Sequence, residues 1–85
     1  MTPYHVDWTD AALDMLADIW TQATNRAAVN AAQNQIDALL ARDPSGYGQL
    51  RSEGLYKLIE PPLVVFFAID EAQKVVEISD VWYAP

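Results

Sequence analysis

The sequence predicts an α+β domain with the element order β-α-α-β-β-β, in which an antiparallel helical hairpin packs on a mainly antiparallel four-stranded sheet. Three observations carry this expectation. Residues 63–69, Leu-Val-Val-Phe-Phe-Ala-Ile, form an unbroken apolar run between Pro61-Pro62 and Asp70-Glu71, the pattern of a strand wetted on neither face and so central in a sheet. Upstream, two Ala-rich stretches repeat apolar residues at helical spacing. Downstream, short joins between successive strand-like runs favour antiparallel neighbours.

In chain order, Tyr4, Val6 and Trp8 alternate with His5 and Asp7, a half-buried strand. Thr9 is placed to cap a helix, with Asp10 in the first turn opposing the helix dipole. The inner face of that helix is read as Leu13, Leu16, Ala17 and Trp20. Thr24 and Asn25 punctuate the join to a second helix, residues 26–42, whose apolar stripe is Val29, Ala32, Ile36, Leu39 and Leu40. Asp43-Pro44-Ser45-Gly46-Tyr47-Gly48 ends it, because proline disfavours helix in the residue before it. Residues 55–59, 63–69 and 74–82 read as three successive strands, broken by Glu60-Pro61-Pro62 and turned at residues 70–73.

Composition narrows the functional classes. A chain of 85 residues is read as one domain over 1–85, and its 52% hydrophobic content requires a folded core. Twelve acidic against five basic side chains give a net charge of −7, spread over both halves. Such a field repels phosphate backbones and favours a basic protein partner. The absence of cysteine removes disulfides and Cys-ligated metal centres, and no cofactor is expected. No signal-like or 18-residue apolar stretch occurs, so a cytoplasmic protein away from membranes is expected.

Several local patterns have a plain structural reading beside a functional one. Asp10, Asp14 and Asp18 stand at i, i+4 and i+8 on one helix face, a solvated stripe or a docking surface for a basic partner. A single helix face supplies no converging ligands for a metal. Gly46-Tyr47-Gly48 lacks the Gly-Lys-Ser/Thr of a phosphate loop. His5 has no nucleophile at a recognisable triad spacing.

Tyr4-His5-Val6-Asp7-Trp8-Thr9 at the first helix, Ile36-Asp37 with Leu39-Leu40, Asp43-Pro44, Pro62 to Asp70, and Val75-Val76-Glu77-Ile78 together resemble the RelE/ParE toxin superfamily of type II toxin-antitoxin modules. The likeness spans nearly the whole chain and rests on hydrophobic phrases, so it speaks more to fold than to activity. It implies a toxin-like component that binds a cognate antitoxin through the sheet face and helical hairpin. It also implies two alternative targets: messenger RNA on the ribosome, cleaved by basic residues on the sheet, or DNA gyrase. A repurposed, non-enzymatic interaction domain is a further alternative, and a homodimer is among the assemblies considered.

Carried over residue by residue, the cleavage apparatus is thin. Lys57 matches a basic position of the family's second strand, and Arg51 precedes it in a region that tends to be basic. The arginine usual in the third strand is Val64 here, Trp82-Tyr83-Ala84 holds none of the basic residues usual after the last strand, and no extra C-terminal helix is expected after Pro85. Lys57, Arg51 and Tyr83 are therefore the catalytic candidates, Tyr83 as a stacking group or general acid. The plain readings are an edge-protecting lysine, an arginine paired with Glu53 or a helix carboxylate, and a tyrosine closing the core edge. Ribonuclease power is expected to be weak, because charge developing on phosphate needs more cations than these. The reversed polarity, an acidic toxin-like chain, predicts an antitoxin segment of basic character.

Overall fold

The computed structural model describes residues 3–85. Its elements are β1 (His5–Trp8), α1 (Asp10–Gln22), α2 (Arg26–Arg42), a one-turn α3 (Pro44–Tyr47), β2 (Gln49–Ser52), β3 (Leu55–Glu60), β4 (Leu63–Asp70) and β5 (Val75–Tyr83). The strands form one sheet in the order β1-β5-β4-β3-β2, with β1 parallel to β5 and the other neighbours antiparallel. The apolar run is thus the middle strand, β4.

The predicted fold class holds, with one more strand than expected. After α2, Asp43 caps α3 by accepting from the Gly46 amide at 3.1 Å, and the chain then enters β2. β2 pairs with β3 around Gly54, whose φ of +78° lies in the left-handed region that glycine tolerates. Gln-Leu-Arg-Ser carries little strand signal because all four residues are exposed, so nothing selects alternation. With β2 outside it, β3 is not an edge strand, and Lys57 does not guard one.

The helices cover one face of the sheet. α1 begins where Thr9 caps it: Oγ1 accepts from Ala12 N at 3.2 Å and donates to Ile78 O at 3.0 Å, which ties the helix start to β5. Asn25 caps α2 by accepting from Ala28 N at 3.0 Å. α2 buries Val29, Ala32, Ile36 and Leu40, as its stripe predicts. α1 departs from expectation: Ala12 and Leu16 are buried and Ile19 is half-buried, followed by the buried C-cap Ala23, while Leu13, Ala17 and Trp20 are exposed. The small Ala12, fully buried, lets the helix approach the sheet closely, and this leaves the two large residues facing out.

Beneath the helices, Leu58, Leu63, Val65, Phe67, Val76, Ile78 and Val81 complete the core, with Tyr56 stacked on Phe67 at 5.6 Å. No polar side chain is buried among the described residues. Gly48 is required by close approach, since a Cβ there would stand 2.5 Å from Phe67 Cζ and 2.8 Å from Pro44 O. The other face of β4 has no helix over it: Val64 and Phe66 are half-buried and Ala68 is exposed. The unbroken apolar run therefore serves a core on one side and an open surface on the other.

Candidate functional site

Strand register decides which candidate residues meet. Lys57 on β3 pairs with Phe66 on one side and Gln49 on the other, and so belongs to the open face. Arg51 lies in β2 at the register irregularity between Leu50 and Ser52, fully on the surface. Tyr83 pairs with Leu63, a buried residue of the helix-covered face. Side chains alternate between faces, so Tyr83 leans to the helix side, two strands from β3 and across the sheet from Lys57. Lys57 and Arg51 lie on neighbouring strands, and Tyr83 lies apart from Lys57 on the other face. Among the described residues neither cation forms an ion pair; Arg51 meets neither Glu53 nor a helix carboxylate, and the pair present joins Lys74 to Glu71 at 3.7 Å.

The residue at the equivalent open-face position of β5 is Trp82, which pairs with Val64, as Val64 does with Ile59. Ile59, Val64 and Trp82 make an apolar row across three strands, with Ile59 50% and Trp82 62% exposed. The next row is Lys57, Phe66 and Asp80. Trp82 packs edge-on against Phe66, ring centroids 5.9 Å apart. Beyond them Ala68, Glu77 and Asp7 continue the face toward β1. The position where the resemblance leads one to expect an arginine is thus the middle of an apolar row. One lysine beside it provides a single charge for a developing phosphorane, and no group of three or more His, Asp or Glu among the described residues is arranged to hold a metal.

A second surface lies on the helical side. Leu13, Leu16, Ala17 and Trp20 of α1 line a groove of about 360 Å³ whose far wall includes Gln33 of α2. Trp20 is held in place: Arg26 donates from Nε to Trp20 O at 2.9 Å and from Nη2 to Thr21 O at 3.1 Å, and its guanidinium sits 4.6 Å from the indole ring centre. These bonds satisfy carbonyls left free at the end of α1. At 100° per residue, Asp10, Asp14 and Asp18 follow directly on the solvent side of Leu13, Ala17 and Trp20. The groove is therefore apolar at its floor and acidic along one rim. Sequence reading missed it because Leu13 and Trp20 fit a core stripe as well as they fit an exposed one.

A wider cleft, about 760 Å³, lies between the start of β1 and the end of α2, lined by Tyr4, Arg42, Asp43, Tyr47 and Lys74 among others. Lys74 pairs with Glu71, which also accepts from Tyr4 Oη at 2.8 Å, and Arg42 shares the lining with Asp43. It offers no surplus of positive charge for an anion.

The model of the ParE toxin of the type II toxin-antitoxin system parDE matches residues 6–84. The chain resembles the RelBE2 toxin-antitoxin complex from Mycobacterium tuberculosis with 26% identity and a TM-score of 0.79, covering 98% of this chain and 93% of that one. It shares the fold of the chromosomal ParDE system from P. aeruginosa (18% identity, TM-score 0.72, 96% and 97% covered) and of the archaeal RelE-RelB complex from Pyrococcus horikoshii (15%, 0.69, 98% and 96%). No curated protein matches the chain at the sequence level. No helix among the described residues is long and apolar enough to cross a membrane. With a match that runs from β1 to the last strand, the chain belongs to the ParE toxin family of type II toxin-antitoxin systems.

Proposed function

We propose that this chain acts, as a single domain in the cytoplasm, by capturing a basic, amphipathic helical segment of a cognate antitoxin in the groove between α1 and α2. The observation that carries the reading is the coincidence of an exposed apolar strip, Leu13 to Trp20, with a rim of three aspartates of one sign. An amphipathic helix lays its apolar face in such a groove, and flanking Lys or Arg meets the acidic rim. The likeness to solved toxin-antitoxin complexes supports an antitoxin as the occupant. Catalysis through Lys57, Arg51 and Tyr83 has less support, since the three are split between the two faces of the sheet.

Titration calorimetry with the product of the adjacent reading frame tests this. Replacing Asp10, Asp14 and Asp18 by Asn weakens binding roughly tenfold, the sum of three modest surface pairs, and flattens its salt dependence. Neutralising the partner's Lys and Arg has the same effect. Affinity indifferent to both changes rejects the basic-segment reading.

A further inference from the structure

The open face of the sheet carries both signs of charge, sorted to opposite sides of an apolar centre. Lys57 on β3 and Asp80 on β5 flank Phe66 of β4 in one row, and Ile59 and Trp82 flank Val64 in the next. Glu77 and Asp7 lie further along this face on the side of β5 and β1. This differs from the α1 rim, which is acidic throughout and would repel its own copy.

The geometry points to a homodimer in which two copies pack open face to open face about a twofold axis that runs along β4, inclined to it by about 15°, half the usual sheet-packing angle. A half-turn about that axis brings β3 of each copy over β5 of the other. Lys57 then meets Asp80 of the second copy, and Asp80 meets its Lys57. Ile59 covers the second Trp82 and is matched in return, while Val64 and Phe66 meet their own images. An isologous interface requires this reciprocity. Two sheets pack about 10 Å apart with strands rotated by about 30°. Flanking strands lie only about 5 Å from the axis, so that rotation displaces the paired residues by roughly 2 to 3 Å, within the reach of a lysine side chain. A uniformly basic segment, by contrast, would be repelled at Lys57. The inference does not depend on the antitoxin groove, which lies on the other side of the molecule.

Sedimentation velocity on the full chain tests it. At tens of micromolar and an ionic strength that screens the repulsion between two copies of net charge −7, the wild type sediments at twice 9.5 kDa. K57E and D80K each weaken association roughly tenfold or more, whereas their equimolar mixture regains the dimer mass, because each copy then supplies the charge the other needs. W82A is monomeric with an unchanged far-ultraviolet circular dichroism spectrum, and L13D, which disrupts the helical groove, remains dimeric. The proposal is overturned by a wild type that stays at 9.5 kDa throughout, by a dimer that survives W82A, by a mixture of the two charge variants that remains monomeric, or by loss of the dimer in L13D.

Discussion

Trp8 donates a 2.7 Å hydrogen bond from its indole Nε1 to Asp37 Oδ1, joining β1 to α2 across 29 residues of sequence. β1 is a four-residue edge strand with one sheet neighbour, β5, so this bond and the one from Tyr4 N to Ala41 O, 2.9 Å, hold its other side. A part-buried bond to a carboxylate contributes about 1.5 to 3 kcal/mol. Asp37→Ala is therefore expected to lower Tm by roughly 4 to 8 °C for each kcal/mol lost, and Asp37→Asn by much less, because the amide oxygen still accepts. Thermal unfolding followed by circular dichroism measures both, and an unmoved Tm in Asp37→Ala would show that the bond adds no stability.

Gly48→Ala places a Cβ where Phe67 Cζ stands at 2.5 Å and the Pro44 carbonyl at 2.8 Å. Phe67 is fully buried and the carbonyl is backbone, so neither yields readily. The expected cost is about 1 to 3 kcal/mol, the range of overpacked sites, read as a lowered urea midpoint at constant slope. A stability equal to wild type would mean that the α3–β2 corner shifts freely.

Leu13→Asp and Trp20→Ala separate binding from folding. Both side chains are 40 to 45% exposed or close to it, Leu13 at 45% and Trp20 at 42%, and the Arg26 bonds that close α1 go to backbone carbonyls that survive either change. Folding free energy falls by no more than about 1 kcal/mol, which in Trp20→Ala includes the lost Arg26–indole contact, whereas an aromatic anchor in a groove costs about 2 kcal/mol or more of binding when truncated. Antitoxin titration beside chemical denaturation gives the two numbers. Equal affinity in both variants would move the docking site elsewhere.

Lys57→Ala tests catalysis directly. Induction of the wild-type chain in a bacterial host is expected to leave messages as intact as induction of the variant does, because a lone lysine beside Ile59, Val64 and Trp82 provides little for phosphoryl transfer. Full-length transcripts in the variant set against shortened ones in the wild type would assign the chemistry to Lys57.

The elements with strong local signals were legible one by one. Thr9 and Asn25 cap the helices they precede, the α2 stripe is buried, and residues 63–69 form the middle strand. β2 is not legible, because an exposed edge strand of four polar and apolar residues in no pattern is indistinguishable from a loop. The α1 face is ambiguous for a different reason. Leu13, Leu16 and Trp20 are spaced as a core stripe, yet Ala12, Leu16 and Ile19 are spaced as one too, and only the sheet below chooses between them.

The candidate site was legible as residue types and not as an arrangement. From the chain alone follow the acidic balance, the want of arginine at Val64, the stripe of aspartates and the family likeness, since each depends on identity and short-range spacing. Tertiary structure alone decided that Tyr83 lies on the opposite face from Lys57, that Trp82 takes its place on the open side, and that Leu13 and Trp20 line a groove. The reason is geometric: a strand turns its side chains to alternate faces and a helix advances 100° per residue, so one step of register or rotation exchanges core for surface, and that step is set by contacts between elements far apart in sequence.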